Sequence, residues 1–247
     1  MKTRIVISCA SLWLLCASIL AAEPSAQFAK ANQEYAAGDF KAAIADYEAL
    51  VRAGQDAANL FYNLGNAYFR KSDFGRAILN YERALALDPH HPEAEANVRI
   101  ARDEARALEL VPTRSDRLFA FANENQFVVT ATIAFWIGIF SIVGWMIGRH
   151  RSRGALALSI LSLAIFAIAV VASYQLSDGK NGSGLAVVTG DKVEARLATA
   201  DNANRVLTLP AGSEIKIVSQ RGDWIYAALP NNLRGWIPAN SAEQVRF

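Results

Sequence analysis

Apolar and polar positions follow different rhythms in different parts of this chain. Three stretches, residues 5–22, 127–148 and 154–177, contain no charged residue. The second and third each reach the ~20 residues that cross a bilayer as a helix. The residues between them are too few for anything but a helical hairpin. Between residues 24 and 109 apolar positions recur at helical spacing. From residue 185 the period shortens. Apolar runs at residues 185–188, 193–197, 206–209, 214–218, 224–228 and 235–237 are separated by turn residues such as Pro210-Ala211-Gly212, Arg221-Gly222-Asp223 and Pro230-Asn231-Asn232. Glu214-Ile215-Lys216-Ile217 alternates as a half-buried strand does. The pattern predicts a multidomain membrane protein: an α-helical region, a two-helix transmembrane hairpin and an all-β region.

The helical region repeats itself with a period of 34. Ala31-Asn32 aligns with Gly65-Asn66, Gly38-Asp39-Phe40 with Ser72-Asp73-Phe74, Ala43-Ile44 with Ala77-Ile78, and Tyr47-Glu48 with Tyr81-Glu82. Gly65 and Ala77 are small where paired helices cross closely, and Tyr68, Phe74 and Tyr81 fill the space beside them. Pro89 cannot continue a helix, so it redirects the chain. With Phe61, Leu64, Gly65, Tyr68, Ala77, Tyr81, Ala84 and Pro89 at these offsets, the second copy resembles the tetratricopeptide repeat. The predicted domain covers residues 23–110, with repeats at 24–57 and 58–91. Pro92, then Val98, Ala101 and Ala105 among Glu95, Arg99, Arg102, Asp103 and Arg106, predict a capping helix over residues 92–109.

The resemblance implies a concave groove lined by the inner helices. Asn32 and Asn66 occupy the same place in the two copies, Asn63 and Arg70 lie on neighbouring turns, and Asn97 continues the series on the capping helix. These five are the candidate protein-binding residues. Two readings stay open for Asn32 and Asn66: contact with a peptide backbone, or bonds within their own helix pair. Phe28, Glu93 and Ala96 stand where some basic partners of a carboxylate clamp would be, which speaks against a C-terminal carboxylate ligand.

At the N-terminus Lys2 and Arg4 precede the apolar run, which ends in Ala21-Ala22-Glu23-Pro24. This reads as a secretory signal peptide over residues 1–22, with an uncleaved anchor as the alternative. Either one sends residue 23 onward across the membrane. Removing it takes away Lys2, Arg4 and both cysteines, Cys9 and Cys16, so net charge falls from +2 to 0 and no cysteine chemistry remains. Residues 111–126 form a juxtamembrane linker in which Leu118, Phe119 and Phe121 suit a membrane interface. Spans are predicted at residues 127–147 and 155–176. The loop at 148–154 holds Arg149, Arg151 and Arg153 without an acid, and so is placed in the cytoplasm. The spans hold no Asp, Glu, Lys, Arg or His, which argues against a transport path. Gly138, Ser141 and Gly144 make a small-residue stripe suited to a neighbouring helix.

Residues 177–184 are Gly-rich linker. Residues 185–247 carry Leu209-Pro210-Ala211-Gly212, then Gly222-Asp223-Trp224, then Gly235-Trp236-Ile237-Pro238. The order resembles the bacterial SH3-like family and implies a small closed barrel. Trp224 and Trp236 are the candidate ligand contacts there, with core packing the alternative.

The near-zero net charge excludes a basic nucleic-acid binder. The histidines, His90, His91 and His150, have no carboxylate pair or third ligand at a useful spacing, and no phosphate loop, nucleophile elbow or zinc helix is present. No enzyme, cofactor or metal is expected. The whole order of signal, repeats, hairpin and β domain, with Phe61–Phe69 and Ala77–Ala84 as they stand, resembles the BatE-type components of Bat aerotolerance operons. That resemblance implies a scaffold in the bacterial inner membrane, with repeats and β domain periplasmic. Its partners would be membrane-anchored von Willebrand A-domain proteins within a MoxR-type stress-tolerance system. The other functional reading is a peptidoglycan-binding envelope protein acting through the β domain.

Overall fold

The structure, a computed structural model, describes residues 26–112, 114–119, 121–122, 124–147, 153–177 and 182–246. The predicted signal peptide, most of the hairpin loop and residues 178–181 lie outside the described residues. The chain divides into two compact units, Met1–Gln55 and Asp56–Phe247.

The described part of the first unit is one helix pair, α1 (Ala26–Ala36) and α2 (Phe40–Arg52). Gly38, at φ +83°, makes the turn between them. Asp39 caps α2 by accepting the Ala42 N–H at 3.0 Å. Ala31, Ala43, Tyr47 and Leu50 are its buried positions.

The second unit opens with the matching pair, α3 (Ala58–Arg70) and α4 (Phe74–Leu87). Asp73 caps α4 through the Arg76 N–H at 3.1 Å. Edge-to-face rings seal the turn of each pair, Tyr35 on Phe40 at 5.4 Å and Phe69 on Phe74 at 5.5 Å, 34 residues apart in sequence. Phe61, Leu64, Gly65, Tyr68, Ala77, Tyr81 and Ala84 are all buried. A Cβ on Gly65 would lie 2.7 Å from Tyr81 Cε1, so the close crossing of α3 and α4 depends on that glycine. Pro89 is exposed in the turn before α5 (Pro92–Ala105).

Helix α5 ends four residues before the predicted capping helix does. Arg106 takes the left-handed conformation, φ 51°, and the Ala107 N–H returns to the Arg102 carbonyl at 3.0 Å. The backbone beyond is claimed by the β domain. The Glu214 N–H donates to the Leu108 carbonyl at 2.8 Å, and the Leu108 N–H to Ser213 Oγ at 3.1 Å.

A short helix α6 (Arg114–Leu118) leads to α7 (Glu124–Ile147) and α8 (Arg153–Ser177). Both long helices are long and apolar enough to cross a membrane by length and composition. Helix α7 starts three residues earlier than predicted, with Glu124 at its positive end. They pack on each other through Phe127, Ala131, Ala169 and Ala172. A Cβ on Gly138 would lie 3.2 Å from Leu163 Cδ2, and the Gly138 carbonyl accepts the Ser159 hydroxyl at 3.2 Å. So Gly138 of the predicted small-residue stripe is used inside the hairpin, while a Cβ on Gly144 would meet nothing within 4 Å.

The C-terminal region is antiparallel β throughout. Its strands are β1 (Leu185–Val188), β2 (Lys192–Arg196), β3 (Arg205–Pro210), β4 (Glu214–Arg221), β5 (Trp224–Ala228), β6 (Arg234–Pro238) and β7 (Ala242–Gln244). They pair in the order β3-β2-β6-β5-β4-β1-β7. The predicted closed barrel is not what the pairing gives: the sheet is not closed. Strand β7 is three residues long and pairs with β1, while β2 joins β6 through the single pair Arg196 with Trp236 after a bulge at Ala195. Leu209, Ile215, Ile225, Leu229 and Ile237 fill the core.

Helix packing covers part of the sheet. A Cβ on Gly75 of α4 would lie 3.1 Å from the Val188 carbonyl, and one on Gly212 would lie 2.2 Å from Ile78 Cδ1. The second repeat, its cap and the β domain therefore share one packed interface, although 112 residues separate Arg102 from Glu214.

Candidate functional site

Helix α3 turns Asn59, Tyr62, Asn63, Asn66 and Arg70 away from the core at the i, i+3, i+4, i+7 spacing of one helix face. Helix α5 brings Asn97 beside them. Asn66 is the hub. Its Oδ1 accepts the Tyr81 hydroxyl at 2.8 Å and the Asn97 amide at 2.9 Å. The Asn97 amide also reaches the Tyr62 hydroxyl at 3.5 Å. His91 caps α5 by accepting the Ala94 N–H on Nδ1 at 3.3 Å, which leaves its Nε2–H to donate to Asn59 Oδ1 at 3.3 Å. The His91 ring lies 4.8 Å from that of Tyr62.

The equivalent bond recurs in the first unit, where Tyr47 donates its hydroxyl to Asn32 Oδ1 at 2.6 Å. Both asparagines thus bond within their own helix pair. For Asn66 this uses only the carbonyl side. Among the described residues its Nδ2 makes no hydrogen bond, and neither does the Oδ1 of Asn97. A half-buried donor and a half-buried acceptor therefore stand side by side, the pairing that a peptide backbone presents in reverse. Asn63 is half-buried and Arg70 is exposed at the end of α3. The structure brings Asn63, Asn66, Arg70 and Asn97 onto this face, while Asn32 belongs to the other unit. Tyr62 and Asn59 join the face without having been singled out from the sequence, and His91, weighed there only as a metal or catalytic ligand, joins it too. Tyr62 stands directly after Phe61 in the repeat, which was the available signal.

A second patch lies on the sheet. The register sets Trp224 opposite Pro238, Tyr226 opposite Trp236 and Arg196 opposite Trp236, so these side chains share one face. The Tyr226 and Trp236 rings are 5.0 Å apart. Both tryptophans are half-buried. Arg196 pairs with Glu194 at 3.1 Å, and Arg234 is exposed. Tyr226 escapes sequence reading because its partner is known only once β5 and β6 are in register.

The buried charges sit elsewhere, between the repeat and the sheet. Arg102 meets both Glu82 and Glu214, and the Leu110 N–H donates to Glu214 Oε2 at 2.9 Å. Arg83 reaches Glu243 at 3.3 Å and the Gln244 carbonyl at 3.0 Å. Burial pulls its guanidinium below the usual arginine value. These groups are ion pairs that join the second repeat and its cap to the sheet. Among the described residues no three His, Cys, Asp or Glu side chains converge as metal ligands.

Residues 28–92 match the family model of the tetratricopeptide repeat. No curated protein matches the chain. The repeats identify residues 28–92 as a protein–protein interaction module, and modules of this kind generally carry no catalysis.

Proposed function

We propose that this chain is a non-enzymatic, membrane-anchored scaffold that binds a protein partner along α3. One observation carries the reading: the unspent amide donor of Asn66 beside the unspent acceptor of Asn97, on the open face of a tetratricopeptide repeat. That pair suits the backbone of an extended or helical segment, with Asn63 and Arg70 reading its side chains. Helices α7 and α8 anchor the scaffold in the inner membrane. The predicted signal and the Arg-rich loop support an extracytoplasmic, periplasmic position for both soluble regions. Packing of the second repeat on the β domain supports their being on the same side. The resemblance to BatE-type components supports a partner with a membrane-anchored von Willebrand A domain, within a Bat-type stress-tolerance complex.

The test is affinity purification of the full chain from detergent-solubilised membranes. Wild type retains a discrete heterologous membrane protein, and Asn63→Asp with Arg70→Asp loses it. Equal retention by both removes the groove from the account.

The aromatic face of the sheet favours a second reading, an SH3-like domain that binds peptidoglycan. Trp236 beside Tyr226, with Arg196 and Arg234 close by, offers stacking surface and positive charge for an acidic glycan. On this reading the full chain binds purified sacculi and Trp236→Ala does not.

A further inference from the structure

One cavity in the second unit, about 640 Å³, belongs to neither face. Its volume falls in the ~300–1,000 Å³ range of small-molecule sites. Its place is set by the hairpin: Glu124, the first residue of α7, and Leu176, the last but one of α8, both line it. Leu85 of α4 and Val245 after β7 complete its apolar walls.

The charges around it differ in availability. Glu82 is held by Arg102, Glu124 meets Arg246 at 3.5 Å, and Asp116 is already engaged. Arg117, also on the lining, is exposed and makes no hydrogen bond or ion pair among the described residues. Arg114, one turn earlier on α6, is in the same state. Beside them Leu118 is 68% exposed and Phe121 79% exposed. Two unpaired guanidinium groups and two uncovered apolar side chains occur together where the spans end. This combination suits an amphiphile with an anionic head.

We infer that this cavity binds an anionic phospholipid of the surrounding membrane. Its phosphate sits on Arg117 and Arg114, and its glycerol and first methylenes lie against Phe121, Leu176 and Val245. The inference rests on the reading of α7 and α8 as membrane spans.

The experiment uses the full chain. Alkaline carbonate extraction of membranes comes first, then native mass spectrometry of the detergent-purified protein with added phosphatidylglycerol or phosphatidylethanolamine. We expect the chain in the carbonate pellet and phosphatidylglycerol retained in preference. Arg114→Glu with Arg117→Glu lowers that retention about tenfold, while the equally exposed Arg221→Glu on the β domain leaves it unchanged. Release by carbonate overturns the membrane reading itself. A pelleted chain overturns the lipid site alone if the double variant retains phosphatidylglycerol like wild type, or if Arg221→Glu loses as much.

Discussion

Replacing Glu214 with Ala measures how firmly the β domain is joined to the second repeat. Glu214 is 1% exposed. One carboxylate oxygen receives the Arg102 guanidinium and the other the Leu110 N–H at 2.9 Å. Arg102 is itself largely buried, it also meets Glu82, and its Nε has no partner. Alanine keeps the backbone bond to Leu108 but leaves the Leu110 N–H unpaired and removes one of the arginine's three carboxylate partners, the most deeply buried of them. Breaking a buried ion pair from one side costs about 3–5 kcal/mol. Glu82 and, at 3.5 Å, Glu109 remain, so the low end, about 3 kcal/mol, applies. At ~2–4 °C per kcal/mol for a body of this size, Tm falls by roughly 6–12 °C. Thermal unfolding of the full chain in detergent, followed by near-ultraviolet circular dichroism, reads that shift. Protease cleavage within residues 106–112 should rise in parallel, because this segment loses its hold on β4. The double variant Arg102→Met with Glu214→Leu should recover only part of the loss, since it removes the under-neutralised arginine but still leaves the Leu110 N–H unpaired and takes the arginine from Glu82. A cost below about 1 kcal/mol, as for an exposed pair, would contradict a buried ion pair at this interface. So would a double variant no more stable than Glu214→Ala.

Three further outcomes come from the packing and the charges. Gly65→Ala places a methyl 2.7 Å from Tyr81 Cε1 and should cost about 1–3 kcal/mol in denaturant unfolding; a neutral result would mean the crossing is looser than described. Gly212→Ala meets both a positive φ of +81° and Ile78 Cδ1 at 2.2 Å, so it should lower Tm, and Ile78→Ala in the same chain should relieve the steric part but not the backbone part. The Lys30 ammonium, hydrogen-bonded to Asp46 at 2.6 Å, holds the Asp46 carboxyl below its usual value. A depressed carboxylate contributes stability above the unfolded value of about 3.9 and loses that contribution as pH falls through the folded one. Carboxyl NMR should therefore find Asp46 titrating low, and Lys30→Ala should return it to the ordinary range.

The parts of this molecule legible in its sequence are those set by local period. The 34-residue repeat reappears as two helix pairs with the same cap, the same ring contact and the same Asn–Tyr bond. The second and third charge-free runs reappear as the long helices. The illegible parts depend on pairing across long separations. Arg102 reads as one more charge on a solvated face, yet Glu214 draws it into the interface. The end of α5 is moved by a backbone bond from Glu214 to Leu108, which no helix signal near residue 106 announces. Turn motifs point to a closed barrel, but closure is a property of register and of strand length at β7. The candidate face was partly legible: the asparagine positions follow from the repeat. That Asn66 spends its carbonyl inward and keeps its amide outward does not, because it requires Tyr81 and Asn97 in place.

The scaffold reading stands or falls on what touches α3. Asn66 is part of the internal network, so Arg70, exposed at the end of the same helix, is the position for a photo-crosslinking residue in living cells. Identification of the adducts by mass spectrometry should give a discrete heterologous membrane protein, and the Asn63→Asp background should weaken it. Only self-adducts, or none, would contradict the account and leave the aromatic face of the sheet as the working surface.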